Sequence, residues 1–216
     1  MKTARMAGSC GRFSLAHTSH RTMSHRIHIF GASGSGTTTL GMALSKRLDV
    51  LFLDTDSYYW KQTDPPFREK HLPADRISMI EHEMGDRESW VLSGSLCNWG
   101  DPFFDRFTLA VFLRLDPSVR MERLLLRERQ RYGAKIEPGG SMHDAHRDFM
   151  AWAASYETAT APIRSLDLHE GWIRQLQCPV LRLNAETSCE SQVEEILLFL
   201  APTPGLPPTP RRSACQ

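Results

Sequence analysis

Residues 31–38 read Gly31-Ala32-Ser33-Gly34-Ser35-Gly36-Thr37-Thr38. They match the phosphate-loop pattern G-x-x-x-x-G-K-[ST] at every fixed position but the lysine, where Thr37 stands. Glycines let successive backbone N–H groups turn inward and form an anion nest. A following helix adds unpaired N–H donors and the positive end of its dipole. Neither contribution needs a lysine. The expected phosphate contacts are residues 31–39, ending in Thr39. Thr38 occupies the position whose hydroxyl meets Mg²⁺. The rival reading is a tight strand-to-helix turn capped by Ser and Thr.

A cation missing from the loop has to come from elsewhere. Arg120, Arg123, Arg127 and Arg131 are spaced three, four and four apart, hence on one helical face. Glu122 and Glu128 lie in the same stretch, so a solvated, paired face is the competing interpretation.

These residues need rigid elements behind them. Apolar runs at 27–30, 50–53, 90–92, 109–113 and 180–183 predict buried strands. Amphipathic spacing predicts helices over 38–48, 75–85, 118–132, 146–156, 164–175 and 191–200. Strands separated by helices imply an α/β fold with a parallel sheet covered on both faces. Strand two then ends in Asp54-Thr55-Asp56, and strand three in Ser93-Gly94-Ser95. The two aspartates can also cap a helix or turn.

The 216 residues suffice for one such domain. Residues 1–26 carry five Lys/Arg and no acid, and Arg211 and Arg212 end the chain's basic residues. The stretch between therefore holds nineteen bases against twenty-five acids, which argues against nucleic-acid binding by bulk charge. No apolar run has the length of a membrane span. Cys10, Cys97, Cys178, Cys189 and Cys215 are scattered without C-x-x-C, as in a reduced cytoplasmic protein. Residues 1–24 read as a disordered extension, 25–201 as the domain, and the proline-rich 202–216 as a disordered tail. A chain cut to residues 23–202 is expected to melt within a few degrees of the full one; a much larger drop in a calorimetric scan means a tail packs on the domain.

The loop, "LDTDSYYW" (residues 53–60), "VLSGSLCNWGDP" (91–102) and "ERLLLRERQRYGAKIEPGG" (122–140) resemble the adenylate and shikimate kinase-like branch of the P-loop kinases. Bacterial adenylate kinase-like, AAA-family ATPase and topology modulation-like proteins are the nearest in look. The resemblance covers about residues 25–200, and Thr37 is its departure. It implies a P-loop NTPase three-layer αβα sandwich, with five parallel strands in the order 2-3-1-4-5 and a small lid at about 127–142. It implies ATP and Mg²⁺ as cofactors and a small-molecule phosphate acceptor as partner. Asp54 is matched to the metal shell with Thr38, and Asp56 to the acceptor hydroxyl. Arg127 and Arg131, on the lid, are matched to charge on the transferred group. Tyr58, Tyr59 and Trp60 are candidates for an acceptor wall, Arg68 or Arg76 for a second phosphate clamp, and residues 184–187 for the adenine. His143 and His146 are read as solvated.

Overall fold

Branched and aromatic residues at consecutive positions form strands that bury both faces. In the computed structural model, which describes residues 24–64 and 66–201, these are β1 Arg26–Gly31, β2 Leu51–Asp54, β3 Trp90–Ser93, β4 Leu109–Arg114 and β5 Val180–Asn184. All neighbours pair in parallel, and the order is β2-β3-β1-β4-β5. This is the 2-3-1-4-5 sheet expected from the resemblance. The extension and tail expected at residues 1–23 and 202–216 lie outside the described residues.

Side chains alternate between the two faces of the sheet. Ile27, Ile29, Val91 and Val111 face one core, closed by Leu40 and Leu44 of α1 (Thr37–Leu48) and by Val193 and Ile196 of α7 (Cys189–Leu200). Phe30, Leu92 and Phe112 face the other core, with Trp172 of α6 (Leu166–Ile173) and Ile80 of α3 (Pro73–Met84). The remaining helices are α2 (Thr55–Tyr59), α4 (Pro117–Tyr132) and α5 (His143–Ala154). Among the described residues no helix is long and apolar enough to cross a membrane.

Register sets the functional end of the sheet. Ser93 pairs with Ile29 on one side and Asp54 on the other, so β1, β2 and β3 end nearly level. Their loops meet where the strand order reverses, which is where open α/β sheets collect ligands.

Three elements differ from the expectations. α2 has only five residues, too few to show a period, and Asp54 caps it by accepting from the Asp56 N–H. The helix expected over 146–156 starts at His143 and gives way to a 3-10 turn, Ser155–Glu157. The helix expected from 164 starts later, because the Ser165 hydroxyl accepts from the Leu168 N–H and takes the N-cap.

Candidate functional site

β1 ends at Gly31, and the Ser35 N–H donates to the Ala32 carbonyl (3.1 Å) to close the loop. Gly36 is the N-cap of α1, at φ 96°, and offers no side chain to the first turn. That turn contains no acid either. Its N–H donors therefore face the cleft unshared, as an anion site requires. Gly34 packs against α4: a Cβ there would lie 2.8 Å from Leu124 Cγ. This close approach brings the arginines of α4 to the loop.

Thr38 Oγ1 donates to Asp54 Oδ2 at 2.8 Å, and Asp54 Oδ1 accepts the Asp56 N–H at 3.0 Å. One carboxylate thus joins the loop helix to the end of β2 and caps α2. Asp56 is open to solvent from one side, but the cleft walls crowd it. Their desolvation pushes its carboxyl up, against the pull of Arg164 and with the push of Asp54. Among the described residues no group of three or more His, Cys, Asp or Glu side chains forms a metal cluster.

The arginine face of α4 divides. Arg120 is 1% exposed and turns into the protein. It donates to both oxygens of Glu157 (3.1 and 2.8 Å) and to the Ala153 carbonyl (2.9 Å). Arg123 donates to the Ala185 carbonyl at 3.2 Å. Arg127 and Arg131 line the cleft. Arg127 Nε is buried without a partner among the described residues. Burial, then the neighbouring Arg131, lowers the Arg127 pKa from its ordinary value. A desolvated cation beside a like charge is relieved by an incoming anion.

A cavity of about 70 Å³ opens between these groups, lined by residues 31–34, Thr37, Thr38, Asp54, Asp56, Gly94, Ser95, Arg127 and Arg164. Arg131 is absent from this inner cavity and lines only the larger cleft. Arg164 was not singled out from the sequence. It stands alone before α6, in no periodic pattern, with its guanidinium 5.4 Å from the Trp152 ring. Gly94, at φ 100°, has no room for a Cβ, which would strike Thr55 Oγ1. Its carbonyl accepts from His28 Nε2 at 2.9 Å, so the backbone entering Ser95 is held from below.

Outside the inner cavity the cleft reaches about 1830 Å³. Tyr59 and Trp60 line it, but Tyr58 is buried and its hydroxyl donates to Glu83. Arg68 lines the cleft as well. Arg76 does not: it is buried over the Tyr59 ring at 3.9 Å and its Nε donates to the His71 carbonyl. Ala185, Glu186 and Thr187 form the far wall, turned by Asn184 Oδ1 accepting the Glu186 N–H. The two histidines are not solvated, contrary to expectation. His143 Nδ1 donates to the Ile136 carbonyl, and half-buried His146 lies 3.7 Å from Glu128. α5 begins three residues earlier than its apolar spacing shows, and this draws both rings against the 3-10 turn Gly133–Ile136 and α4.

Residues 27–146 match the model of a family described as an AAA domain. The uncharacterized protein YqaC of Bacillus subtilis is 43% identical over 179 residues, which is 83% of this chain and 99% of that protein. A shikimate kinase of Bacteroides thetaiotaomicron is 30% identical over 174 residues, covering 73% of this chain and 95% of the enzyme. The crystal structure of a shikimate kinase from the same organism superposes with a TM-score of 0.52 at 22% identity, over 82% of this chain and 98% of that one. A phosphate-type loop on a 2-3-1-4-5 sheet and relatives matched along nearly their whole length lead to one assignment: the chain belongs to the AAA-domain family, in the adenylate and shikimate kinase-like branch of the P-loop kinase superfamily.

Proposed function

We propose that the chain is an ATP-dependent phosphotransferase acting on a small hydroxyl- or phosphate-bearing acceptor. The observation that carries this reading is the inner cavity. The phosphate loop, a solvent-facing carboxylate and the Arg127 guanidinium, whose buried Nε has no hydrogen-bond partner among the described residues, all line it. In this reading residues 31–39 bind the phosphates of ATP. Arg127, and Arg131 farther out, hold charge on the transferred group, the usual way a site of this kind lowers the barrier. Asp56 accepts the proton of the acceptor hydroxyl and aims its oxygen.

The residues fit Mg²⁺. Thr38 Oγ1 and Asp54 Oδ2, 2.8 Å apart, are hard oxygen donors at the mouth of the loop, of the kind that share Mg²⁺ with phosphates. When bound, the ion neutralises phosphate charge. The uncapped first turn of α1 fits the phosphates themselves.

For the acceptor, the relatives named shikimate kinases favour a hydroxylated carboxylic acid. Arg68 on the cleft supplies a cation for such a carboxylate. A nucleoside monophosphate is the competitor. Free Cys97, Cys178 and Cys189 support a reducing, cytoplasmic setting. Labelled ATP with Mg²⁺, offered shikimate, other hydroxy acids and nucleoside monophosphates, tests the reading. Transfer above the hydrolysis background supports it. A second reading, a nucleotide-binding regulator with little catalysis, is favoured by Thr37 in the lysine position and predicts binding without transfer.

Asp56→Asn is expected to lower kcat by about 10²–10⁴-fold, the range of general-base removal, with ATP affinity nearly unchanged. Steady-state kinetics with the acceptor found above check this. An unchanged kcat removes Asp56 from the chemistry.

A further inference from the structure

Behind the wall of the inner cavity three polar side chains form a buried line. Tyr156 Oη lies 2.6 Å from His169 Nδ1, and His169 Nε2 lies 3.1 Å from Ser95 Oγ. Tyr156 belongs to the 3-10 turn after α5, His169 to α6, and Ser95 follows Gly94 at the end of β3. Ser95 is 5% exposed and His169 0%. Of the three, Ser95 lines the cavity, together with the phosphate loop, Asp56, Arg127 and Arg164.

The protons can run two ways along this line. In the first, Tyr156 donates to Nδ1, Nε2–H donates to Ser95, and the Ser95 proton is left over. In the second, Nδ1–H donates to Tyr156, and Ser95 spends its proton on Nε2. The second strands the Tyr156 hydroxyl proton, because His169 is its one hydrogen-bond partner among the described residues. Buried donors are rarely left unpaired. A doubly protonated ring is opposed by burial, which pulls His169 down to about 3, with Arg164 and His28 acting the same way. Burial also keeps the Tyr156 phenol protonated. The first arrangement therefore holds. The Ser95 proton is then left for the neighbouring Cys97 sulfur, a weak acceptor, or for the cavity, which holds the Asp56 carboxylate and receives any entering oxygen.

We propose that Ser95 binds the transferred phosphoryl group, with Tyr156 and His169 as positioning residues that turn its hydroxyl proton into the cavity. The inference rests on the phosphotransferase reading, which makes the terminal phosphate of ATP the occupant. Place agrees: the small cavity of about 70 Å³ lies at the phosphate loop and shares most of its lining with the large cleft, so a nucleotide in the cleft can present its terminal phosphate there. Arg127 and Arg164 line the same space as Asp54 and Asp56, so the cavity offers cations for a phosphoryl group beside carboxylates for Mg²⁺ and the acceptor. An anionic phosphoryl oxygen outcompetes a thiol for the proton. Thr37 leaves the loop one long donor short, and Ser95 adds a short one from the end of β3.

Mg·ADP titrated calorimetrically into the full chain, with and without beryllium fluoride as the phosphoryl mimic, isolates this contact and needs no acceptor. Ser95→Ala should bind ADP like the parent and lose about tenfold of the tightening that beryllium fluoride brings. Tyr156→Phe should lose about threefold, and nothing further in the Ser95→Ala background, because both act through one hydroxyl. Nitrogen-15 NMR of the parent should find His169 neutral with its proton on Nε2. A proton on Nδ1, or equal tightening in Ser95→Ala and the parent, overturns the inference while ADP binding keeps the phosphate-loop reading standing. A parent that binds no ADP overturns both. Ser95→Ala removes a single oxygen, so its result stands even if Tyr156→Phe folds poorly.

Discussion

Gly36→Val abolishes ATP binding and leaves the circular dichroism spectrum native: that is the expected result at the most demanding position of the loop. Gly36 sits at φ 96°, a region a β-branched residue avoids. Yet a Cβ built there meets no protein atom within 4 Å. The substitution therefore does not crowd the core. It strains one turn, and it puts a branched side chain into the open space where phosphate oxygens would approach the first N–H groups of α1. Isothermal titration with ATP measures the outcome. Affinity equal to the parent's would remove the phosphate-loop assignment, because no anion could share that nest with an isopropyl group.

The second large effect concerns the cation. Arg127→Ala is expected to lower the rate of phosphoryl transfer by about 10³-fold or more, as loss of a charge on the transferred group does in related chemistry. ADP affinity should change little, since Arg127 faces the cavity beyond the loop. Arg131→Ala should cost less, because Arg131 lines only the outer cleft. Thr37 lines the same inner cavity as Arg127, so Thr37→Lys carries an ammonium toward the same oxygens. It should restore part of the rate to the Arg127→Ala variant, and the two changes should be non-additive. Single-turnover measurements with labelled ATP decide it. Transfer in Arg127→Ala as fast as in the parent ends the compensation idea and favours the weakly hydrolysing regulator.

Much of the scaffold was legible in the sequence. Apolar runs of three to five residues alternating with 3.6-period stretches mark a parallel sheet, and the loop motif marks its first strand. Asp54 offered two readings, cap or metal-site carboxylate. The structure makes them compatible, because one oxygen accepts the Asp56 N–H and the other the Thr38 hydroxyl. The arginine face was only half legible. Spacing gives the angle around a helix but not the surroundings at each height. Arg120 and Arg131 share a face yet stand about 16 Å apart along the axis, one inside the protein and one at the cleft. Arg164 and the Ser95–His169 pair left no signal. The former is a lone residue before a helix, and the latter is separated by 74 positions that only the folded chain closes.

The burial of Arg120 turns α4 into a lever. Its root is pinned by the Glu157 and Ala153 contacts, and its tip carries the 3-10 turn after Tyr132. At about 1.5 Å per residue, Arg127 stands roughly 10 Å from that pivot and Arg131 roughly 16 Å. A swing of about 10° then carries Arg127 through about 2 Å and Arg131 through about 3 Å. Both guanidinium groups already line the cleft, so such a swing moves the outer one about 1.6 times as far as the inner. The same small motion is thus geared differently for the two charges, the shorter arm giving Arg127 the smaller travel.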